Sequence, residues 1–211
     1  MNTALIKIIQ ECFKTGFTQK SKIAFSILFF LISFAAFSQE KKEVEKRIDK
    51  AEMPRKAVVL YEAQVPKNIR WERFYFEQDG EKESFEAKFK FKKHVFSIEF
   101  SKAGGLQDIE IAVKKNRLPE PVRNKIEVYL DTENDLYNIE KIQAQFLPKR
   151  SPNQTFEVAL NFKEYTADNY ELVVAVRNDG LRKKYELLFD HHGNFVQKRE
   201  ISFESPSFFL F

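Results

Sequence analysis

Residues 84–113 read SFEAKFKFKKHVFSIEFSKAGGLQDIEIAV, and the alternation in this stretch decides the class of fold. Across 84–91, Phe85, Ala87, Phe89 and Phe91 fall on one side of an extended chain, and Glu86, Lys88 and Lys90 fall on the other. Residues 94–101 set Phe96, Ile98 and Phe100 against Ser97 and Glu99, and 106–113 repeats the scheme with Ile109, Ile111 and Val113. Successive side chains of a strand point to opposite faces, so this period of two predicts antiparallel strands with one buried and one wet face. Gly104-Gly105 between two of the runs, and Asp79-Gly80 just upstream, mark tight hairpin turns. A fourth run, 69–77, carries aromatic residues on both faces: Trp71 and Tyr75 on one, Phe74 and Phe76 on the other.

N-terminal to these strands, Met53-Pro54 opens a helix, because proline tolerates the first helical position where its missing N–H costs nothing. Val58, Leu60, Tyr61 and Val65 supply its apolar face, and Pro66 stops it. The charged lead-in 39–52 has Val44 and Ile48 four apart, which suits either a helical turn or two or a solvated linker; the linker is the favoured reading. C-terminal to the strands the pattern recurs. Leu118-Pro119 precedes a second helix with Val122, Ile126, Tyr129 and Leu130, and strand-like runs follow at 138–147, 155–162, 169–177, 184–190 and 195–201. The expected architecture is therefore α+β, with tandem repeats of a helix packed on a four-stranded antiparallel meander, 53–117 and 118–201, the second enlarged by an insertion at 148–168. Residues 202–211 form an apolar tail for which protection of a strand edge is the economical role.

The chain has 211 residues and a formal net charge of +4, with 43% hydrophobic and 31% charged residues, a globular composition. Its first 38 residues read differently from the rest. Residues 23–37, IAFSILFFLISFAAF, are uncharged, follow Lys20 and Lys22, and end in the small residues Ala36 and Ser38 at −3 and −1 of a cut. That is the pattern of a secretory signal peptide cleaved after Ser38. A membrane-spanning helix needs about 20 apolar residues, more than this run supplies, so no stable span is expected after cleavage. The leader removes Lys7, Lys14, Lys20, Lys22 and Glu11, leaving a charge of +1 and no one-sided positive field for nucleic acid. It also removes Cys12, the only cysteine, so a thiol nucleophile and a disulfide framework are both excluded from the exported chain.

These residues together resemble a family. Met53-Pro54 through Val65-Pro66, then Ile69-Arg70-Trp71-Glu72, then Phe85-Glu86-Ala87-Lys88-Phe89, are similar to the first half of PepSY-like, β-lactamase-inhibitor-like exported proteins of Bacteroidetes. Leu118-Pro119 with its helix, Tyr170-Glu171-Leu172, and Tyr185 to Asp190 with Gly193 are similar to the second half, so the likeness covers most of 53–201. The resemblance implies tandem helix-plus-sheet units, a periplasmic or secreted location and a binding role. It departs from the family at the insertion 148–168 and the tail 207–211, and it brings no catalytic residues.

Chemistry-bearing groups are sparse. His191-His192, beside Asp190 and before Gly193-Asn194, is the one histidine pair and a candidate metal site, although the same residues read well as a hairpin turn. No Gly-x-Ser-x-Gly elbow is present, and the carboxylates fall at alternating strand positions where solvated charge pairs are the expectation. The protein is therefore expected to be no enzyme and to need no cofactor. Trp71, Phe74, Tyr75 and Phe76 are the candidates for contact with a partner, with Trp71 more often a core residue in such a place. The expected function is an exported binding domain that contacts an envelope or extracellular protein. The alternative is a carrier of a small hydrophobic ligand between sheet and helix.

Overall fold

A computed structural model describes residues 40–41, 43–149, 151–163 and 167–201, all within the unit 39–211. The expected leader 1–38 with its expected cleavage after Ser38, and the expected apolar tail 202–211, lie outside the described residues. Ten strands are present: β1 (Glu40–Lys41), β2 (Glu43–Ile48), β3 (Glu72–Asp79), β4 (Lys82–Phe91), β5 (His94–Ser101), β6 (Leu106–Ala112), β7 (Leu136–Phe146), β8 (Asn169–Asn178), β9 (Leu181–Asp190) and β10 (Phe195–Ile201). Among the described residues three α-helices accompany them, α1 (Arg55–Gln64), α2 (Glu120–Glu133) and α3 (Pro152–Leu160), with short 3-10 turns at Lys50–Glu52 and Lys115–Arg117. None of the described helices is long and apolar enough to cross a membrane.

The strands form one sheet in which β2 to β10 follow each other as an antiparallel meander of nine. This overturns the expected pair of four-stranded repeats. The two halves are zipped by the β6–β7 ladder, with Ile109 opposite Phe146 and Ile111 opposite Ala144. The physical reason is edge economy, because two separate sheets would each leave a row of N–H and C=O groups without partners. Joining β6 to β7 satisfies those groups and makes one continuous core.

The remaining edges meet as well. Most of the lead-in is a strand and not a linker, since β2 pairs with β3 from Glu43 opposite Asp79 to Ile48 opposite Phe74, and a single 3-10 turn follows at Lys50–Glu52. One residue earlier, β1 pairs in parallel with the far edge, Glu40 opposite Glu200 and Lys41 opposite Ile201. Only residue 42 separates β1 from β2, so the stretch 40–48 bridges both edges and the sheet curls into a closed ring. Arg199 of β10 forms an ion pair with Asp79 of β3 across this seam. Lead-in residues are charged on both sides, which hid the strand from a reading based on apolar period.

The core lies between the sheet's outer face and the helices. Phe89, Phe96, Phe100, Phe146, Phe156 and Phe189 are among its fully buried side chains, each contributing on the order of 1.5–3 kcal/mol by leaving water. Phe89 stacks on Phe96 with centroids 5.1 Å apart, and Tyr61 of α1 meets Phe74 edge-on at 5.5 Å. Tyr61 keeps its hydroxyl satisfied by donating to Glu72 at 2.9 Å, and burial followed by that carboxylate pushes its pKa up. The expected helices are present, with Pro54 and Pro119 as N-caps and so one residue before the first helical position. Gly104, at φ +76°, lies against α1, and Gly193, at φ +78°, lies against α2.

The run 155–162, expected as a strand, is helical over 155–160, within α3. Its start carries a capping box in which Ser151 Oγ accepts from the Gln154 backbone N–H while the Gln154 side chain accepts from the Ser151 N–H. Pro152 stands at the beginning of the helix, and Thr155, Phe156 and Ala159 form its buried face. That i, i+1, i+4 spacing is a helical one, so the alternation of Phe156, Val158, Leu160 and Phe162 was coincidence.

Candidate functional site: the charged lumen of the sheet

The face of each strand that does not meet the core turns inward around the ring. Because the core claims Phe85, Ala87 and Phe89 on β4, the alternating partners Ser84, Glu86 and Lys88 must point the other way. The same rule sends Ser97 and Glu99 of β5, Asp108 and Glu110 of β6, Gln143 and Gln145 of β7, and Glu171 of β8 into one shared hollow. This lumen has a volume of about 570 Å³, and strands β2 to β10 all line it. Ten of its lining side chains are carboxyls and five are Lys or Arg, so the acidic groups outnumber the basic ones two to one.

The first wall of the lumen is internally matched. Lys88 Nζ lies 2.7 Å from Glu86 Oε2 and 2.9 Å from Glu45 Oε1, and 4.7 Å above the ring of Tyr75. Burial pushes the Glu86 carboxyl up, but Lys88, with hydrogen bonds from its ammonium and from Ser97 Oγ, brings it below the usual carboxylate range. Burial likewise disfavours the Lys88 ammonium, and the carboxylates of Glu86 and Glu45 outweigh it and raise its pKa. Oxygen atoms of Glu45, Glu77 and Glu86 lie within 4.8 Å of one another, close enough to hold a metal ion. The Lys88 ammonium already supplies the positive charge that two of them require.

A second wall, on β5 to β8, is built with amides. Gln145 Nε2 donates to Asp108 Oδ2 at 3.0 Å, and Asn169 Nδ2 donates to Gln145 Oε1 at 2.8 Å, which fixes the amide's direction. Gln143 donates similarly to Glu110. Asp108 is only 9% exposed. Burial first, then the charges of Glu99 and Glu171, hold its carboxyl well above the usual aspartate range, against the pull of Gln145 and Lys82. Lys82 ion-pairs with Glu99 at 3.1 Å, with side-chain exposures of 57% and 23%. Solvent access therefore falls from Lys82 through Glu99 to Asp108.

The aromatic candidates are divided among different faces. Phe74 belongs to the core and Tyr75 is buried under Lys88. Phe76 packs edge-on against Phe85 at 5.5 Å. Trp71 is 38% exposed, with the guanidinium of Arg73 5.5 Å from its ring centroid, so it is a surface residue where the sequence favoured a core one. His191 and His192 have ring centroids 3.8 Å apart on the exposed turn after β9. That turn is organised by Asp190, which accepts from the backbone N–H groups of His192 and Asn194 at 2.8 and 2.9 Å. Burial opposes the charge of Asp190, and the hydrogen bonds from Asn194 and His192 nonetheless hold its carboxyl below the usual range. The layer between sheet and helices, where a hydrophobic ligand was the alternative, is packed with the aromatic core, and the hollow on the opposite face is charged. Nothing in the sequence-based reading singled out Asp108, Gln145 or Lys88 as a group. The signal available was the strand parity of each, which becomes informative only once the ring is known to close.

No family model matches this chain, and no curated protein matches it. Among solved structures, a DUF2874 family protein from Bacteroides ovatus is similar at 17% identity and a TM-score of 0.47, over 75% of this chain and 97% of that one. A DUF2874 family protein from Bacteroides uniformis is similar at 14% identity and 0.48, over 75% and 99% of the two chains. A BLIP-like protein from Bacteroides fragilis is similar at 16% identity and 0.42, over 69% and 84%.

Proposed function

We propose that the chain is an exported, non-enzymatic binding domain of the cell envelope that recognises another protein, with Trp71 as its anchor. The observation that supports this reading is the exposed Trp71 beneath Arg73 at the start of β3. Tryptophan and arginine concentrate binding energy at protein interfaces, because both offer large contact area together with a polar or cationic group. A rigid sheet presents the pair with little ordering cost on binding. Export is supported by the leader pattern at 20–38.

The test is comparative capture from the envelope of the native cells, read by mass spectrometry, with the wild-type domain, Trp71→Ala and the control Val128→Ala. Val128 is an exposed apolar residue on α2 and serves as a matched surface change. The reading expects a partner retained by wild type and by Val128→Ala and lost with Trp71→Ala. Equal recovery by all three, or no partner specific to wild type, would count against it. Fractionation adds an independent check, since the mature protein is expected in the envelope or medium with Gln39 as its first residue.

A further inference from the structure

We propose that the lumen binds a small protonated alkylamine, whose ammonium group donates to Asp108 Oδ1 between Glu99 and Glu171. This goes beyond the reading based on Trp71, which does not line the lumen, so either can fail without the other. Three observations carry the inference. The first is a cavity of about 570 Å³, within the range of about 300–1,000 Å³ typical of small-molecule sites. The second is its charge, with ten carboxyls against five cationic groups.

The third is the state of Asp108. The side chain is nine-tenths buried and lines the lumen, and Gln145 occupies its Oδ2 at 3.0 Å. Its Oδ1 has no donor among the described residues. That oxygen is not fully enclosed by protein, so it faces the lumen as an acceptor open to a ligand with N–H groups. The protein shows the complementary solution elsewhere in the same lumen, where Lys88 places an ammonium against Glu86 and Glu45. Asp108 itself receives the Gln145 amide and no ammonium within hydrogen-bond distance, and the bound amine would complete the equivalent arrangement.

An ammonium fits better than a divalent metal. A metal requires several oxygen ligands converging on one point, and the described carboxylates that converge in this way are Glu45, Glu77 and Glu86, not Asp108. One free acceptor oxygen in a broad negative field suits a hydrogen-bonding cation instead. Lys82 and Glu99 are the more exposed members of this part of the lining, at 57% and 23%. A second ammonium on the same ligand would offset part of the remaining acidic excess.

The probe is 1,4-diaminobutane, titrated by calorimetry into the purified protein at low ionic strength, with 1,4-butanediol as the uncharged control. Saturable one-to-one binding of the diamine alone, weakened about tenfold or more by Asp108→Asn, is the expected result, since hydrogen bonds to charged groups are worth about that much. Should Asp108→Asn fail to fold, Glu171→Gln is expected to weaken binding at least about threefold by reducing the field at the same oxygen. The inference is overturned by absence of saturable heat, by affinity unchanged in the variant that folds, by equal binding of the diol, or by magnesium competing stoichiometrically for the site.

Discussion

Replacing Gly104 by alanine tests the closest approach between helix and sheet. Gly104 has φ +76°, and a Cβ built there would lie 2.9 Å from the Ala57 backbone nitrogen and 3.0 Å from Lys56 Cβ. Two costs follow. The left-handed backbone conformation penalises any Cβ by about 1–2 kcal/mol. The contact with α1 adds an overpacking cost of about 1–3 kcal/mol, because Ala57 is fully buried and the helix must lift to make room. Gly80 separates the two, since it has φ +62° but no atom within 4 Å of a built Cβ. Gly80→Ala is therefore expected to cost about 1–2 kcal/mol, and Gly104→Ala about 2–5 kcal/mol in all. Gly193→Ala should behave like Gly104→Ala, because its Cβ would lie 2.8 Å from the Val122 carbonyl oxygen of α2. Guanidinium unfolding followed by far-UV circular dichroism measures all three. Costs for Gly104→Ala and Gly193→Ala no greater than for Gly80→Ala would refute the close packing of both helices on the turns.

The lumen yields two further predictions and the third helix one. Lys88→Met leaves Glu86 buried without its ammonium and is expected to cost about 3–5 kcal/mol, most of it regained in the double variant with Glu86→Gln; denaturant midpoints that show no such recovery would contradict the pairing. Asp108 binds its proton more tightly folded than unfolded. Between the ordinary aspartate value and the raised folded one, the folded state therefore carries more protons and stability falls as pH rises. Asp108→Asn should remove that slope and be the more stable protein at the alkaline end of the window, as read from unfolding at a series of pH values; an unchanged slope would show that Asp108 titrates normally. Ser151→Ala removes the α3 N-cap and is expected to cost about 1 kcal/mol, with Ser151→Thr retaining most of it.

Sequence patterning captured the strands whose inward and outward faces differ sharply in polarity. Period alone places Phe85, Phe89, Phe96 and Phe100 on the core face, and the structure buries Phe89, Phe96 and Phe100 completely. The turn at Asp79-Gly80 was equally legible, because Gly80 takes the positive φ that its type makes cheap. Lys92 and Lys93, at φ 49° and 81°, make the next hairpin without glycine, a position that composition cannot reveal. Three features escaped for physical reasons. A strand charged on both sides, such as β2, has no apolar period to detect. The alternating run at 155–162 has the hydrophobic spacing of a strand, and the capping box at Ser151 and Gln154 is the local signal that decides for a helix. Most importantly, which strand lies next to which is a property of the whole chain, so the β6–β7 ladder and the seam at 40–48 could not follow from any local segment. The lumen depended on that closure. Each of its side chains looked like an ordinary solvated charge until the ring brought them face to face.

The lumen, with ten carboxyls against five cationic groups, is the proposed place where a cationic ligand is held. Backbone amide shift mapping of the ¹⁵N-labelled protein, during titration with 1,4-diaminobutane, tests it most directly. The account expects saturating shifts clustered at Glu99, Asp108 and Glu171 on β5, β6 and β8, with the outer turns at His191 and His192 unmoved. Shifts confined to the outer surface, or a spectrum that does not change, would contradict it.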